Sequence, residues 1–415
     1  MNRNRLPAWV NRGIDRLADA PMSPLGRLAA RRLGRPAPRG SVPATEFAPA
    51  ETRVLIAPVN YSGQGIAWAR ALETADPTIS ARNMAIEVPG GFSFDADLLV
   101  PVGTYHNDPD WQRRQFAAAA GATHVLIEAE EPPFGRLLGR SVVRQARALT
   151  ERGVSVAYLA HGTDVRLPSR HIAGNPLSYY ADEAVYLPRA EQLAARNIAI
   201  VSESGRPAFV STPDLLVDLP EARWCPVVVD PQRWAAAERR DRSPGAPLRV
   251  VHAPSVAAYK GTAMVLPVLE RLQAEGVIEF RLVQGVPSAE MPAVFAEADV
   301  MLDQFRAGSY GVAACEAMAA GCLAVGQVSG QVRAAVHAAS GLELPVLEAD
   351  PESLEHLLRS LAARPSLAEL SERGIDFVRT VHDGRMAAQA LREHWLAAPD
   401  ARSDDRKDPA GAPRR

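Results

Sequence analysis

Lys260, Gly261, Gly311 and Glu316 carry residue types at a spacing that suits an anionic ligand. Of the 46 basic residues in the 415-residue chain, all but Lys260 and Lys407 are arginine, and Lys407 lies in a polar tail. An ammonium on a flexible stem is a point charge, whereas a guanidinium is a wide planar fork. A tight turn that sets one cation beside a phosphate can take the first and not the second. Lys260 stands in His252-Ala253-Pro254-Ser255-Val256-Ala257-Ala258-Tyr259-Lys260-Gly261-Thr262, just after an apolar run. Gly311 precedes a helical run, where free N–H groups and the helix dipole favour negative charge. Glu316 falls about one turn into that helix. There a carboxylate can accept two ribose hydroxyls, or simply balance the dipole. In the other half, His161 ends an apolar run and opens His161-Gly162-Thr163-Asp164-Val165-Arg166. By type alone such a histidine is more often structural than catalytic. Asp164 suits a loop or helix cap better than a base, and Arg166 suits a phosphate or an acceptor. Gly63-Gln64-Gly65 is, on its own, a weak phosphate-loop signal.

These residues need a scaffold that ends strands near one another. From Arg53 the chain alternates short apolar runs with helical periodicity: Val54–Val59, Met84–Val88, Asp97–Val100, Val125–Glu128 and Val154–Ala160 read as strands. Ile198–Val201 and Ala208–Ser211 read as the last strands of this half. The stretch 230–247 is rich in Arg, Asp, Pro and Gly, as linkers are. A second alternating series runs from Leu248 to about Gly326, followed by helical periodicity to Leu396. Strands alternating with helices imply parallel sheets covered on both faces, with ligands beyond the carboxyl ends of the strands. The expected organisation is an Arg/Pro-rich leader, partly disordered, over 1–50, then an α/β domain over 51–229. A linker over 230–247, a second α/β domain over 248–380, a helix over 381–397 and a disordered tail over 398–415 complete it.

Composition narrows the function classes. Hydrophobic content of 47% and charged content of 23% describe an ordinary globular protein. Cys225, Cys315 and Cys322 form neither a metal-ligand spacing nor a disulfide framework, and imply a reducing compartment. No run is long and apolar enough to span a membrane, and the N-terminus lacks a secretory core. A cytoplasmic location follows as the expectation. Residues 1–40 hold nine arginines and two aspartates. Helical periodicity from Leu6 through Trp9, Ile14 and Leu17 would let this leader lie on an anionic membrane, at the inner face of the cytoplasmic membrane. Its Pro content favours a disordered leader instead. Nucleic acid is not expected as a partner, since the basic run carries no recognition motif.

The run Gly308-Ser309-Tyr310-Gly311-Val312-Ala313-Ala314-Cys315-Glu316-Ala317-Met318-Ala319-Ala320-Gly321 resembles the donor-binding motif of retaining GT-B glycosyltransferases of family four. Lys260-Gly261 is similar to that family's Lys-Gly pair, and His161–Asp164 to its His-Gly-Ser-Asp segment. Together the motifs cover roughly residues 53–396 in the family's order. The resemblance implies an α/β GT-B fold, two Rossmann-like doubly wound domains facing a cleft, with the C-terminal helix crossing back to the N-terminal domain. It implies sugar transfer, with retention, from a nucleotide-diphosphate sugar to a glycan or lipid-linked acceptor in cell-envelope or exopolysaccharide synthesis. No metal and no further cofactor are implied. His161 and Lys260 take the catalytic roles. Ser255, Lys260, Gly261, Asp303, Gln304, Tyr310, Gly311, Val312 and Glu316 would hold the donor. Gly63, Gln64, Gly65, Asp164 and Arg166 would lie on the acceptor side.

Three positions depart from the pattern. Gly308 replaces a glutamate that engages donor sugar hydroxyls, and Ser255 replaces a basic residue beside the diphosphate, for which Arg281 or Arg306 would have to substitute. Asp303-Gln304 looks like a bacterial branch in which Ser255, Asp303 and Gln304 take over the missing contacts. A non-catalytic GT-B protein that binds a nucleotide sugar or a partner is the alternative these departures favour. A sugar-nucleotide epimerase would need further acid/base carboxylates.

Overall fold

The computed structural model describes residues 2–89, 94–235, 237, 242–243 and 245–397. The tail 398–415, with Lys407, and part of the 230–247 linker lie outside the described residues.

Seven parallel strands form the N-terminal sheet. They are β1 (Thr52–Ala57), β2 (Ile79–Glu87), β3 (Leu98–Pro101), β4 (His124–Glu128), β5 (Ser155–Ala160), β6 (Ala208–Val210) and β7 (Arg223–Trp224), in the order β3-β2-β1-β4-β5-β6-β7. Five more form the C-terminal sheet: β8 (Leu248–His252), β9 (Ile278–Leu282), β10 (Val300–Leu302), β11 (Leu323–Gly326) and β12 (Leu347–Glu348), in the order β12-β11-β10-β8-β9. Val54, Leu55, Ile56 and Ala57 are all buried. A parallel strand covered on both faces has no solvent side, so it reads as an unbroken apolar run.

The strand order places the crevices. In the first sheet it reverses between β1 and β4, where Ile56 stands opposite Leu126. In the second it reverses between β8 and β10, where His252 stands opposite Leu302. Connections diverge at such switch points and leave a gap beyond the carboxyl ends. The loops after β1, β4, β8 and β10 therefore line the two gaps. They contain Gly63–Gly65, the turn after Glu128, Lys260 and Asp303.

Several boundaries differ from those expected. Residues 1–50 contain two packed helices, α1 (Ala8–Asp19) and α2 (Pro24–Arg31). Ser23 accepts from the Gly26 N–H and Pro24 takes a first-turn position, a capped start that outweighs the Arg/Pro composition. Ile198–Val201 is not a strand. It lies in the helix Leu187–Glu203, where Ala194, Asn197 and Val201 share the buried face. Within the linker, Asp230 caps a short helix, Pro231–Ala235, and Trp234 is buried with its ring stacked on Phe295.

Beyond Phe377 the chain returns to the first domain through Val378–His382, Arg385–Leu391 and Arg392–Leu396. Gly384 turns it with φ 98°, and a Cβ there would press on Ala71 at 3.0 Å. Ala387, Ala388, Leu391 and Trp395 then join the core around Val54, Ile56 and Trp68. The expected crossing of the C-terminal helix is present.

Candidate active site

β8 ends at His252, which is fully buried. Its Nδ1 meets the Leu302 carbonyl and its Nε2 the Thr262 hydroxyl, both at 2.8 Å. Burial pushes its pKa down, so it is a neutral strut between β8, β10 and the next helix. The chain then forms the helical turn Ala257–Lys260 and reverses at Gly261, φ 79°. A Cβ on Gly261 would crowd Arg306 at 3.1 Å and Phe305 at 3.3 Å, so the turn closes only on glycine. The Phe305 N–H donates to the Lys260 carbonyl at 3.1 Å, which ties this turn to the segment after β10.

Lys260 is thereby aimed at Asp303. Its Nζ lies 2.5 Å from Asp303 Oδ1, with the lysine side chain 15% exposed and the aspartate buried. Asp303 Oδ2 accepts from the Gly311 N–H at 3.2 Å. One carboxylate thus joins the lysine to the N-terminus of the helix Val312–Ala319. A Cβ on Gly311 would project into open space, leaving its backbone approachable. Gln304 shapes the turn between them, donating from Nε2 to the Ser309 carbonyl at 2.6 Å. Tyr310 points into the core, its hydroxyl 3.1 Å from His382 Nε2.

Glu316 follows one turn into the helix. Burial pushes its pKa up to about 8, although the charges of Arg233 and Lys260 draw it down; Asp303 adds to the rise. Near neutral pH it therefore holds its proton, as a hydroxyl-like donor and acceptor. Arg233 was not singled out in the sequence because it sat in apparent linker. The readable signal was Asp230-Pro231, an N-cap followed by a first-turn proline.

In the other half, His161 Nε2 lies 3.1 Å from Glu128 Oε1. The imidazole is 9% exposed and the carboxylate fully buried. Burial raises the pKa of Glu128, against the hydrogen bond and charge of His161. Its Oε2 has no hydrogen-bond partner among the described residues. Tyr61 packs edge-on against His161 at 5.1 Å and Trp68 lies at 5.6 Å. Tyr61 itself is 56% exposed, at the rim of this group. Sequence reasoning treated Glu128 only as the end of a strand. Its signal was a charged residue closing an apolar run at a switch point. Glu130, two residues on, is also buried. The backbone turns there through left-handed Ala129 and Glu130, φ 52° and 51°.

The remaining expected residues serve the local architecture. Asp164 accepts from the His161 N–H at 2.8 Å and from the Gly162 N–H at 2.5 Å, which folds the turn after β5. Arg166, partly buried, pairs with Asp214 at 2.5 Å and donates to the Tyr179 hydroxyl at 2.8 Å. Gly63 adopts φ 71°, and a Cβ on Gly65 would overlap Asn83 Nδ2 at 2.3 Å. Gln64 grips Val228 through both its amide atoms. Ser255 and Arg281 are exposed. Arg306 faces the other domain and pairs with Asp182 at 2.8 Å, so it does not supply a cation next to Lys260. Gly308 has φ 70°, with Asn175 Nδ2 3.5 Å from where its Cβ would lie. Lys260, Asp303 and Gly311 are brought together directly, and Glu316 lies within reach of their charges. His161, Glu128 and Tyr61 form a second group. No hydrogen bond or ion pair joins the two groups among the described residues.

No protein-family model matches this sequence, and no curated protein matches it. Solved structures do match in shape. A sucrose-phosphate synthase from Thermosynechococcus elongatus superposes with a TM-score of 0.55 at 12% identity, over 83% of this chain and 98% of that one. An α-glucosyltransferase in complex with UDP and DNA gives 0.52 at 9%, over 82% and 98%. The catalytic domain of starch synthase IV from Arabidopsis thaliana, bound to ADP and acarbose, gives 0.50 at 10%, over 84% and 99%. At such identities the likeness establishes architecture: two Rossmann-like domains in the GT-B fold that these glycosyltransferases share.

Proposed function

We propose that this chain transfers a sugar, with retention, from a nucleotide-diphosphate donor to a glycan or lipid-linked acceptor at the cytoplasmic face of the cell envelope. The observation that carries the reading is the Lys260–Asp303–Gly311 linkage at the switch point of the second sheet, with Glu316 one turn beyond. In transfer, the bond from the anomeric carbon to the diphosphate breaks and its electrons stay on the phosphate oxygen. The acceptor oxygen bonds that carbon from the same face, and its proton passes to the departing oxygen. Charge therefore grows on the diphosphate. Lys260 and the N-terminus of Val312–Ala319 would stabilise it, in the role a divalent metal would otherwise fill. Glu316 would take the ribose hydroxyls. His161, steadied by Glu128, would meet the sugar. Carriage of UDP or ADP by the α-glucosyltransferase and starch synthase structures supports a nucleoside diphosphate at this fold's cleft.

Gly308 favours a second reading, a non-catalytic GT-B protein that binds a nucleotide sugar or a partner. Its left-handed backbone disfavours any side chain, so the expected sugar-binding glutamate has no counterpart there. Donor hydrolysis separates the two. Purified protein is screened with UDP-, GDP-, ADP- and TDP-sugars by thermal shift, then by release of nucleoside diphosphate. The transferase reading expects one donor both to stabilise and to be cleaved. Lys260→Ala should slow cleavage about a hundredfold or more, and Lys260→Arg should also be strongly impaired, because a fork cannot take the place of a point charge. Stabilisation without cleavage would establish the nucleotide-sugar-binding protein, and no stabilisation by any donor would remove both the transferase and that binding protein, leaving a partner-binding GT-B protein.

A further inference from the structure

The two N-terminal helices are amphipathic the wrong way round for a soluble protein. On α1, Asn11 and Asp15 stand one turn apart and face inward. Arg3 donates to Asn11 Oδ1 at 3.1 Å and to Asp15 Oδ1 at 2.9 Å. Arg3 also lies over the Tyr186 ring at 4.1 Å, and Arg189 reaches Asp19 at 2.7 Å. Trp9, Gly13 and Leu17 recur every four residues on the opposite face. Trp9 is 71% exposed. On α2, Gly26 and Ala30 face inward, and a Cβ on Gly26 would come within 2.5 Å of the Ala20 carbonyl oxygen. Leu25 and Leu28 point out, 68% and 53% exposed. A helix on the surface of a soluble domain normally buries its apolar stripe. Here the polar and small residues make the contacts and the large apolar ones face solvent.

Charge identifies what covers this face. Of the nine arginines in residues 1–40, only Arg3 and Arg39 have a carboxylate within ion-pair distance among the described residues. Arg12 and Arg16 flank the Trp9–Leu17 line. A second copy of the chain would oppose this positive field with its own. A nucleic acid would satisfy the arginines and leave leucine and tryptophan facing phosphate. An anionic bilayer satisfies both, with apolar side chains at the acyl boundary and guanidinium groups among the headgroups. Among the described residues no helix is long and apolar enough to cross a membrane, so the contact would lie along the surface.

The hairpin is fastened to segments that follow the carboxyl ends of the strands. Asn107, after β3, donates to the Ala30 carbonyl at 2.9 Å, and Arg136, after β4, to the Pro21 carbonyl at 2.5 Å. Asn4 donates to the carbonyls of Glu183 and Val185, beyond β5. We infer that α1 and α2 seat this protein on an anionic membrane surface beside the mouth of its cleft. This holds whatever reaction the cleft performs.

The test is co-sedimentation of the full chain with vesicles of phosphatidylcholine alone and with about a third phosphatidylglycerol. The protein should bind the second and not the first, and lose binding at high salt. Arg12→Glu with Arg16→Glu should weaken binding roughly tenfold or more, at about 1 kcal/mol per arginine. Trp9→Ser with Leu17→Ser and Leu28→Ser should weaken it comparably. All five positions are exposed, so the melting temperature should not move, and an unmoved melt confirms that lost binding reflects the surface. Absent or equal binding to both vesicles overturns the inference, as do variants that bind like wild type. So does a lipid-free dimer that the serine variant dissolves, or tighter binding to a DNA duplex than to the anionic vesicles.

Discussion

Glu316 holds a proton that its unfolded counterpart releases. Its ordinary pKa of 4.5 rises to about 8, chiefly through burial. Between those values the native state binds more protons than the unfolded chain, so this group's contribution to stability falls as pH rises, by at most about 1.4 kcal/mol per pH unit. Glu316→Gln keeps the shape and removes the titration. The variant and wild type should melt alike near pH 4.5. The variant should then gain steadily up to about pH 8, with the gap constant above that. Parallel melting curves across the range would show that the carboxyl is not protonated in the native state. A nucleotide's ribose hydroxyls are served by either form, but only the carboxylate accepts two of them. Donor binding that strengthens above pH 8 in wild type alone would place the ribose here.

The turn Arg306-Ala307-Gly308 couples the two domains as a single element. Arg306 donates to the carbonyls of Leu177 and Ser178 and pairs with Asp182, while Asn175 donates to the Arg306 carbonyl at 3.0 Å. His171 meets the Ala307 carbonyl at 3.1 Å. Truncation in Arg306→Ala leaves these partly buried acceptors unpaired, a loss of about 2–4 kcal/mol. Hydrogen exchange should quicken in residues 175–186 and 305–311 together, and protection that changes in only one of them would mean the turn does not couple the halves. None of this was legible in sequence, because the partners lie more than 120 residues apart. What could be read were features set locally. The strand–turn–helix units around Lys260 and Gly311 follow from the Lys-Gly turn and the helix start. Glu128 and Arg233 acquire their meaning only when the sheets bring them beside His161 and Glu316. Ile198–Val201 was misread because four apolar residues look alike in a strand and in a helix. The longer repeat of Ala194, Asn197 and Val201 decides for the helix.

At the scale of the whole molecule, the chain order and the folding units do not coincide. The alternation of strands and helices reveals two domains, and the linker composition falls between them. Yet the last described residues, through Trp395, belong to the first domain. Trp395 is almost fully buried; its Nε1 donates to Ser155 Oγ at 3.0 Å, and its ring meets His124 edge-on at 5.1 Å. It packs in the core that contains Val54, Ile56 and Leu159, a cluster separate from the one that holds Leu248, Val250, Val300 and Leu302 of β8 and β10. The return segment therefore acts as a strap, and its loss should be felt by the domain it reaches and not by the one it leaves. Trp395→Ala removes a large buried side chain, at about 3–5 kcal/mol. Hydrogen-exchange protection should fall in β1 and β5 while β8 and β10 keep theirs, and the urea midpoint should drop. If β8 and β10 lose protection equally, the two domains unfold as one unit. The strap would then be part of a single core that spans the cleft, and opening the cleft would cost global stability instead of a local turn.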